Sequence, residues 1–210
     1  MPIKTRNEKL AAKVVAALQE RYFEAYYCKT KEDALALSLS LIPENHTVAW
    51  GGSATVTALG LQEKVKTKFN VIDRDAATTP EEKTELMRRS LLADTYLTGV
   101  NAISEQGELV NVDGFGNRVA AMIYGPTNVI AIAGMNKIVK SLEDAIGRAR
   151  NHAAPINAQR FPELRTPCAT TGSCGNCKSP DSICSYISII RMCRPAGKIK
   201  VILIGEELGF

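Results

Sequence analysis

Apolar positions along this chain fall into two rhythms, and their alternation sets out the fold. The run Val129-Ile130-Ala131-Ile132-Ala133 stops abruptly at Gly134-Met135-Asn136-Lys137. Five apolar residues between turn formers suit a strand buried on both faces, as in a parallel sheet covered by helices. Beyond it, Ile138, Leu142, Ala145, Ile146 and Ala149 return at helical spacing, with Asn136 as the expected cap. Upstream, residues 7–27 carry Leu10, Val14, Ala17, Leu18 and Tyr22 near helical spacing, although the aromatic tail from Phe23 to Cys28 also reads as a strand. A helix over 31–41 ended by Pro43, a strand over 46–50, a helix over 56–68 and a strand over 69–72 follow. Next come a helix over 80–93, with Leu86, Leu91 and Leu92 inward, and apolar segments at 97–103, 109–112 and 119–124 that read as strands joined by turns. A strand at 199–204 closes the chain. Strand and helix thus alternate from about residue 24 to 150, which predicts a three-layer α/β domain with a mainly parallel sheet.

In such sheets ligands bind at the carboxyl ends of the strands, so the polar loops there are the first candidates. Asn136 and Lys137 follow one strand. Gly51, Gly52, Ser53 and Thr55 follow another and open a helix, where free amides, two glycines and two hydroxyls form a plausible anion cradle. The same residues also suit a tight turn with an N-cap. Neither the Walker lysine pattern nor a full GxGxxG is present. The Gly114-Phe115-Gly116-Asn117-Arg118 segment reads equally as a hairpin turn and as a ligand loop.

With 210 residues, 45% hydrophobic and 23% charged, the chain is long enough for one substantial core and is predicted to be a single α/β domain. A formal charge of +4 permits an anionic substrate, while the absence of a basic run interleaved with aromatics argues against nucleic acid. No apolar run approaches the roughly 18 residues of a membrane span, and the amino end lacks a signal-peptide core, so the expected location is cytoplasmic. His46 and His152 have no serine or cysteine near them in the pattern, and no histidine-based triad is assigned.

The character changes after Ala153, where prolines punctuate an irregular connection. Cys168, Cys174, Cys177 and Cys184, four of the six cysteines, then fall within a short loop rich in Gly, Ser, Asn and Pro, expected over 166–195 as an insertion before the last strand. Soft thiolates on a backbone able to wrap an ion suit zinc or a cysteine-ligated iron-sulfur cluster. The spacing matches no common ferredoxin run, and free thiols or reversible disulfides are the competing account. Cys28 and Cys193 read as core residues.

The combination Trp50-Gly51-Gly52-Ser53, Leu97-Thr98-Gly99-Val100-Asn101-Ala102-Ile103-Ser104-Glu105 with Gly107, Gly116-Asn117-Arg118-Val119-Ala120, Gly134-Met135-Asn136-Lys137-Ile138-Val139 and Thr166-Pro167-Cys168 resembles the LUD-domain family, named for lactate utilisation. The resemblance spans about residue 5 to Phe210. It implies a NagB/RpiA/CoA-transferase-like fold, Rossmann-like, whose relatives bind sugar phosphates, folates or CoA thioesters. Glu105 resembles the loop carboxylate that serves CoA transferases as nucleophile or base, without their full motif.

The expectation is therefore a lactate-utilisation type of protein that binds a small anionic metabolite or phosphorylated cofactor. Gly51, Gly52, Ser53 and Thr55 would hold the anion, Asn101, Asn117, Arg118, Asn136 and Lys137 would orient it, and Glu105 would act as acid, base or nucleophile. The alternatives are acyl or CoA transfer through Glu105, and a non-catalytic subunit or redox sensor clipped by metal at the cysteines. Expected partners are a second copy of the chain or the subunits of a lactate-oxidation system.

Overall fold

The computed structural model of the chain describes residues 2–210. The described residues form ten strands: β1 (Glu24–Cys28), β2 (Thr47–Trp50), β3 (Asn70–Ile72), β4 (Thr95–Gly99), β5 (Ala102–Ser104), β6 (Leu109–Asp113), β7 (Asn128–Gly134), β8 (Ile138–Val139), β9 (Tyr186–Ile190) and β10 (Ile199–Ile204). The helices are α1 (Pro2–Glu20), α2 (Lys31–Ser40), α3 (Ala54–Ala58), α4 (Leu61–Lys66), α5 (Pro80–Arg89), α6 (Asn117–Ile123), α7 (Leu142–Arg148), α8 (Ala154–Ala158) and α9 (Pro167–Thr171).

Six strands form one all-parallel sheet in the order β1-β10-β7-β4-β2-β3. Successive side chains of a strand point to opposite faces, and both faces are covered here. Val129, Ala131 and Ala133 of β7 join Ile199, Val201 and Leu203 of β10 under α1 and α6. Ile130, Ile132, Ile202 and Ile204 turn the other way, against the apolar sides of α2, α3 and α4. This three-layer arrangement is the one the apolar runs imply, and the closing strand coincides with the predicted one.

A second sheet, β8-β5-β6-β9, mixes parallel and antiparallel pairing and was not legible in the pattern. It packs Ile103 and Leu109 into the core beneath α1, and Ala102, Val110 and Val112 against Ala145 and Ala149. The segment expected as one strand over 97–103 is therefore two, one in each sheet.

Other differences have local causes. The 119–124 segment is helical: Gly116, at φ 80, starts α6, and Val119, Ala121 and Met122 face inward. The Gly114–Arg118 stretch is thus a strand-to-helix turn and not a hairpin. The expected helix over 56–68 is broken at Gly60, φ 66, into α3 and α4. α5 buries none of its residues, Leu86 being only half-buried, and in the 3₁₀ turn over Ser90–Leu92 that follows it Leu91 packs on the core while Leu92 points out, 87% exposed. Asn136 does not cap the helix after β7. A 3₁₀ turn and β8 intervene, and Ser141 caps α7 in a reciprocal pair with Asp144. The aromatic stretch before Cys28 is β1, and the connection after Ala153 contains α8. Among the described residues no helix is long and apolar enough to cross a membrane.

Candidate functional site

Because all six strands of the main sheet run the same way, the loops after β2, β3, β4, β7 and β10 emerge at one edge. The chain leaves β2 through α3 and α4 on one face to reach β3. It then returns on the other face through α5, whose following turn packs Leu91 and Ala93 there, to place β4 on the far side of β2. Adjacent strands whose connections depart to opposite faces leave a crevice between their carboxyl ends. A cleft of about 870 Å³ lies there.

Of the residues expected to bind a ligand, Gly52, Ser53, Asn101, Asn117, Arg118 and Lys137 line this cleft. Ser53 caps α3, its hydroxyl accepting from the Val56 amide at 3.2 Å, and this requires the neighbouring strand end to be glycine. A Cβ on Gly99 would stand 2.5 Å from Ser53 Oγ. Asn101 spends its side-chain oxygen on the Val112 amide at 2.9 Å, which fixes the β4–β5 turn to β6.

Lys137 is the most unusual group. It is 3% exposed, yet it lines the cleft, and its ammonium donates to Thr55 Oγ1 at 2.9 Å. Desolvation, with the charges of Arg148 and Arg118 adding to it, lowers its pKa from the ordinary lysine value to about 7. No carboxylate side chain among the described residues forms an ion pair with it. Arg118 donates to Val112 O at 2.5 Å and sits 3.4 Å from Asp113, so its guanidinium is anchored at the cleft wall.

Three expected binding residues stand behind the wall. Gly51 is buried, with its amide donating to Leu97 O at 3.1 Å. Thr55 is fully buried, accepting from Lys137 and donating to Leu208 O at 3.3 Å. Asn136 is committed to the end of the chain: it donates to Gly209 O at 3.1 Å and accepts from the Leu208 amide at 3.2 Å. That pair seats Gly209, φ 63, where a Cβ would lie 2.5 Å from Thr55 Oγ1, and lets Phe210 line the cleft. These three therefore position the site instead of contacting its occupant.

Glu105 is not brought to the cleft. It lies in the turn after β5, in the second sheet, and its carboxylate pairs with Lys13 at 2.5 Å and Lys140 at 2.9 Å. Hydrogen bonds from Lys13 and then Lys140 hold its pKa below the usual carboxylate value. A low-pKa carboxylate neutralised by two ammonium groups, apart from Ser53 and Lys137, is a surface ion-pair centre, and the expected shared site of these three residues is corrected to a site without Glu105.

Arg74, Asp75, Lys66 and Phe210 line the cleft and were not singled out in the sequence. Arg74 and Asp75 follow β3, so the strand-end rule that found Ser53 would also have found them. Asp75 accepts from Trp50 Nε1 at 2.8 Å. Arg148 acts from behind, donating to Asn136 O at 3.1 Å and Asn101 O at 2.6 Å, which ties the loops after β7 and β4 together.

The four cysteines of the loop also converge. Cys168, Cys174, Cys177 and Cys184 line a second, smaller cavity of about 290 Å³ together with Arg150, and Ala154 and Ser185 belong to the walls of both cavities. None is in a disulfide. Among the described residues no three His, Cys, Asp or Glu side chains are gathered closely enough to hold a single metal ion. Cys28 and Cys193 are buried elsewhere, as expected of core residues.

Among curated proteins there is no match to the chain. A crystal structure of a DUF162 family protein from Deinococcus radiodurans, at 13% identity, superposes with a TM-score of 0.52 over 94% of this chain and 98% of that one. At that identity the likeness shows the fold alone. The sequence model of the LUD domain, however, matches residues 11–204, from the middle of α1 to the last residue of β10. Since that match takes in both sheets and every loop of the cleft except residues 205–210, the chain belongs to the LUD domain family.

Proposed function

We propose that this LUD domain binds a small anionic metabolite or a phosphorylated cofactor in the cleft at the carboxyl edge of the main sheet. One observation carries the reading: Lys137, buried at the cleft wall without a carboxylate partner, is a cation site waiting for a charge that the protein does not supply. A buried lysine left alone is costly and moves its pKa down. An anion in the cleft restores the charged form and turns the cost into binding free energy.

Arg118 and Arg74 stand in the same wall, each beside a carboxylate, Asp113 at 3.4 Å and Asp75 at 3.5 Å, and offer guanidinium donors, while the Ser53 hydroxyl and Asn117 supply polar groups beside them. The volume of about 870 Å³ lies in the range of cofactor-sized pockets and exceeds what a lactate-sized acid would fill. A phosphorylated or nucleotide-bearing molecule, or a small hydroxy or oxo acid held beside one, fits this space. A role in lactate utilisation is the reading that the family's name suggests for that acid.

The test is a ligand panel of hydroxy acids, oxo acids, sugar phosphates, nucleotides and acyl-CoA, read by thermal shift and by the fluorescence of Trp50. That residue is the sole tryptophan and is bonded to Asp75 in the cleft wall. A binder at 100 times its Kd stabilises the fold by about 2.7 kcal/mol. The expected result is such a shift for an anion, reduced in Lys137→Met and Arg118→Ala. Absence of any shift across the panel at millimolar concentration, or equal shifts in the variants, overturns the reading.

A further inference from the structure

The geometry points to a four-iron, four-sulfide cluster held by Cys168, Cys174, Cys177 and Cys184, one thiolate on each iron. Four free thiols line a single cavity, and their manner of approach separates a cluster from a single ion. Tetrahedral zinc, about 2.3 Å from each sulfur, draws its four ligands to one point. Here no three metal-binding side chains are that closely gathered, although all four sulfur-bearing residues surround the same space. A cluster needs that arrangement, because each cysteine binds a different iron and the sulfurs stand around a core. The cavity of about 290 Å³ suits such a core, being many times the roughly 30 Å³ share of one water molecule.

The surroundings fit the charge of the group. A cluster of this class with four thiolates is anionic in its ordinary oxidation states, and Arg150 provides a cation in the cavity wall. Arg150 also donates to the Asn176 side chain, which ties the guanidinium to the turn between Cys174 and Cys177. That turn reverses at Asn176, φ 47, carrying both cysteines to one side. Two hydroxyls stand next to ligand sulfurs, Thr166 at 3.3 Å from Cys168 and Ser182 at 3.6 Å from Cys184, where hydrogen bonds to sulfur tune a cluster. Binding exchanges each S–H bond for an S–Fe bond and releases one proton per thiol. Two ferrous and two ferric ions, the ferrous pair formed from ferric iron by a thiol reductant, join four sulfides from solution or from an assembly system, so the core forms with no electrons supplied by the protein. Because Ala154 and Ser185 are common to both cavities, the cluster lies against the inner wall of the anion cleft, but its assignment does not depend on what that cleft binds.

The experiment is metal and sulfide analysis of the full chain, purified without oxygen and then reconstituted with iron, sulfide and a thiol reductant. About four iron and about four acid-labile sulfides per chain are expected, with a brown colour that bleaches on dithionite reduction. The double variant Cys174→Ala/Cys177→Ala is expected to lose iron at least about fivefold, whereas Cys28→Ala retains it. Should the double variant not fold, electron paramagnetic resonance of the reduced wild type decides by the signal of a one-electron-reduced four-iron cluster. One zinc per chain without labile sulfide, a two-iron stoichiometry, reconstituted iron below about one per chain, or equal iron in the double variant would each overturn the assignment.

Discussion

Lys137 and Thr55, 82 residues apart in the chain, meet through a 2.9 Å hydrogen bond that joins the loop after β7 to the helix after β2 across the intervening β4. The contact fixes the ammonium at the cleft wall and leaves it uncompensated, and several measurable consequences follow from that placement.

Lys137→Met is expected to stabilise the protein near pH 6. The folded-state pKa of about 7 lies below the unfolded value of 10.5, so between these pH values the unfolded chain binds more protons and stability rises with pH. Below about 7 the penalty of the buried charge is fully present. Chemical denaturation should show the variant more stable by about 1–3 kcal/mol at pH 6, with the gap closing toward pH 10. A wild-type advantage at pH 6 would contradict a desolvated lysine.

Anion binding should weaken as pH rises above 7. The bound anion favours the ammonium, so the free protein must take up a proton when ligand docks at alkaline pH. Isothermal titration is expected to show affinity falling by up to about tenfold per pH unit between the free and ligand-bound pKa values, and no such slope in Lys137→Met.

Gly99→Ala should cost about 1–3 kcal/mol of stability, because its Cβ would meet Ser53 Oγ at 2.5 Å and push the capped start of α3 away from β4. Ligand affinity measured in the same variant should fall as well, since Ser53 is part of the cleft wall.

Asn136→Ala releases the two hydrogen bonds that seat Leu208 and Gly209. The expected outcome is loss of about 1–3 kcal/mol and a tail newly sensitive to carboxypeptidase, with weaker ligand binding because Phe210 leaves the cleft. An unchanged digestion pattern would show that other contacts hold the tail.

Glu105→Gln tests the separation of that residue from the site. Its partners Lys13 and Lys140 are largely exposed, 56% and 71%, and exposed pairs contribute little. Tm should shift by no more than about 4 °C, and the thermal shift given by a cleft ligand should be unchanged. Loss of that ligand's effect would return Glu105 to the site.

The sequence by itself determined the parallel sheet and the edge at which the site lies. Val129–Ala133 is apolar on both faces and Ile199–Ile204 is so except at Lys200, which a strand covered on both sides requires, and strand-end loops of a parallel sheet share an edge whatever the details. Ser53, Asn101 and Lys137 were therefore visible as candidates. Short apolar segments carry less information: Val119 to Tyr124 is too brief to tell helix from strand, and only packing of Ala121 and Met122 against the sheet settles it.

Tertiary structure alone decided which polar residues face the cleft. Asn136 and Thr55 turn to the chain's last residues, Glu105 turns to Lys13 and Lys140, and Arg74 turns inward. Those outcomes depend on contacts between segments tens of residues apart, and a side chain's donors and acceptors are assigned by whatever the fold brings beside them. No local spacing encodes that neighbour, so the chemistry of the loops could be read in advance and their division of labour could not.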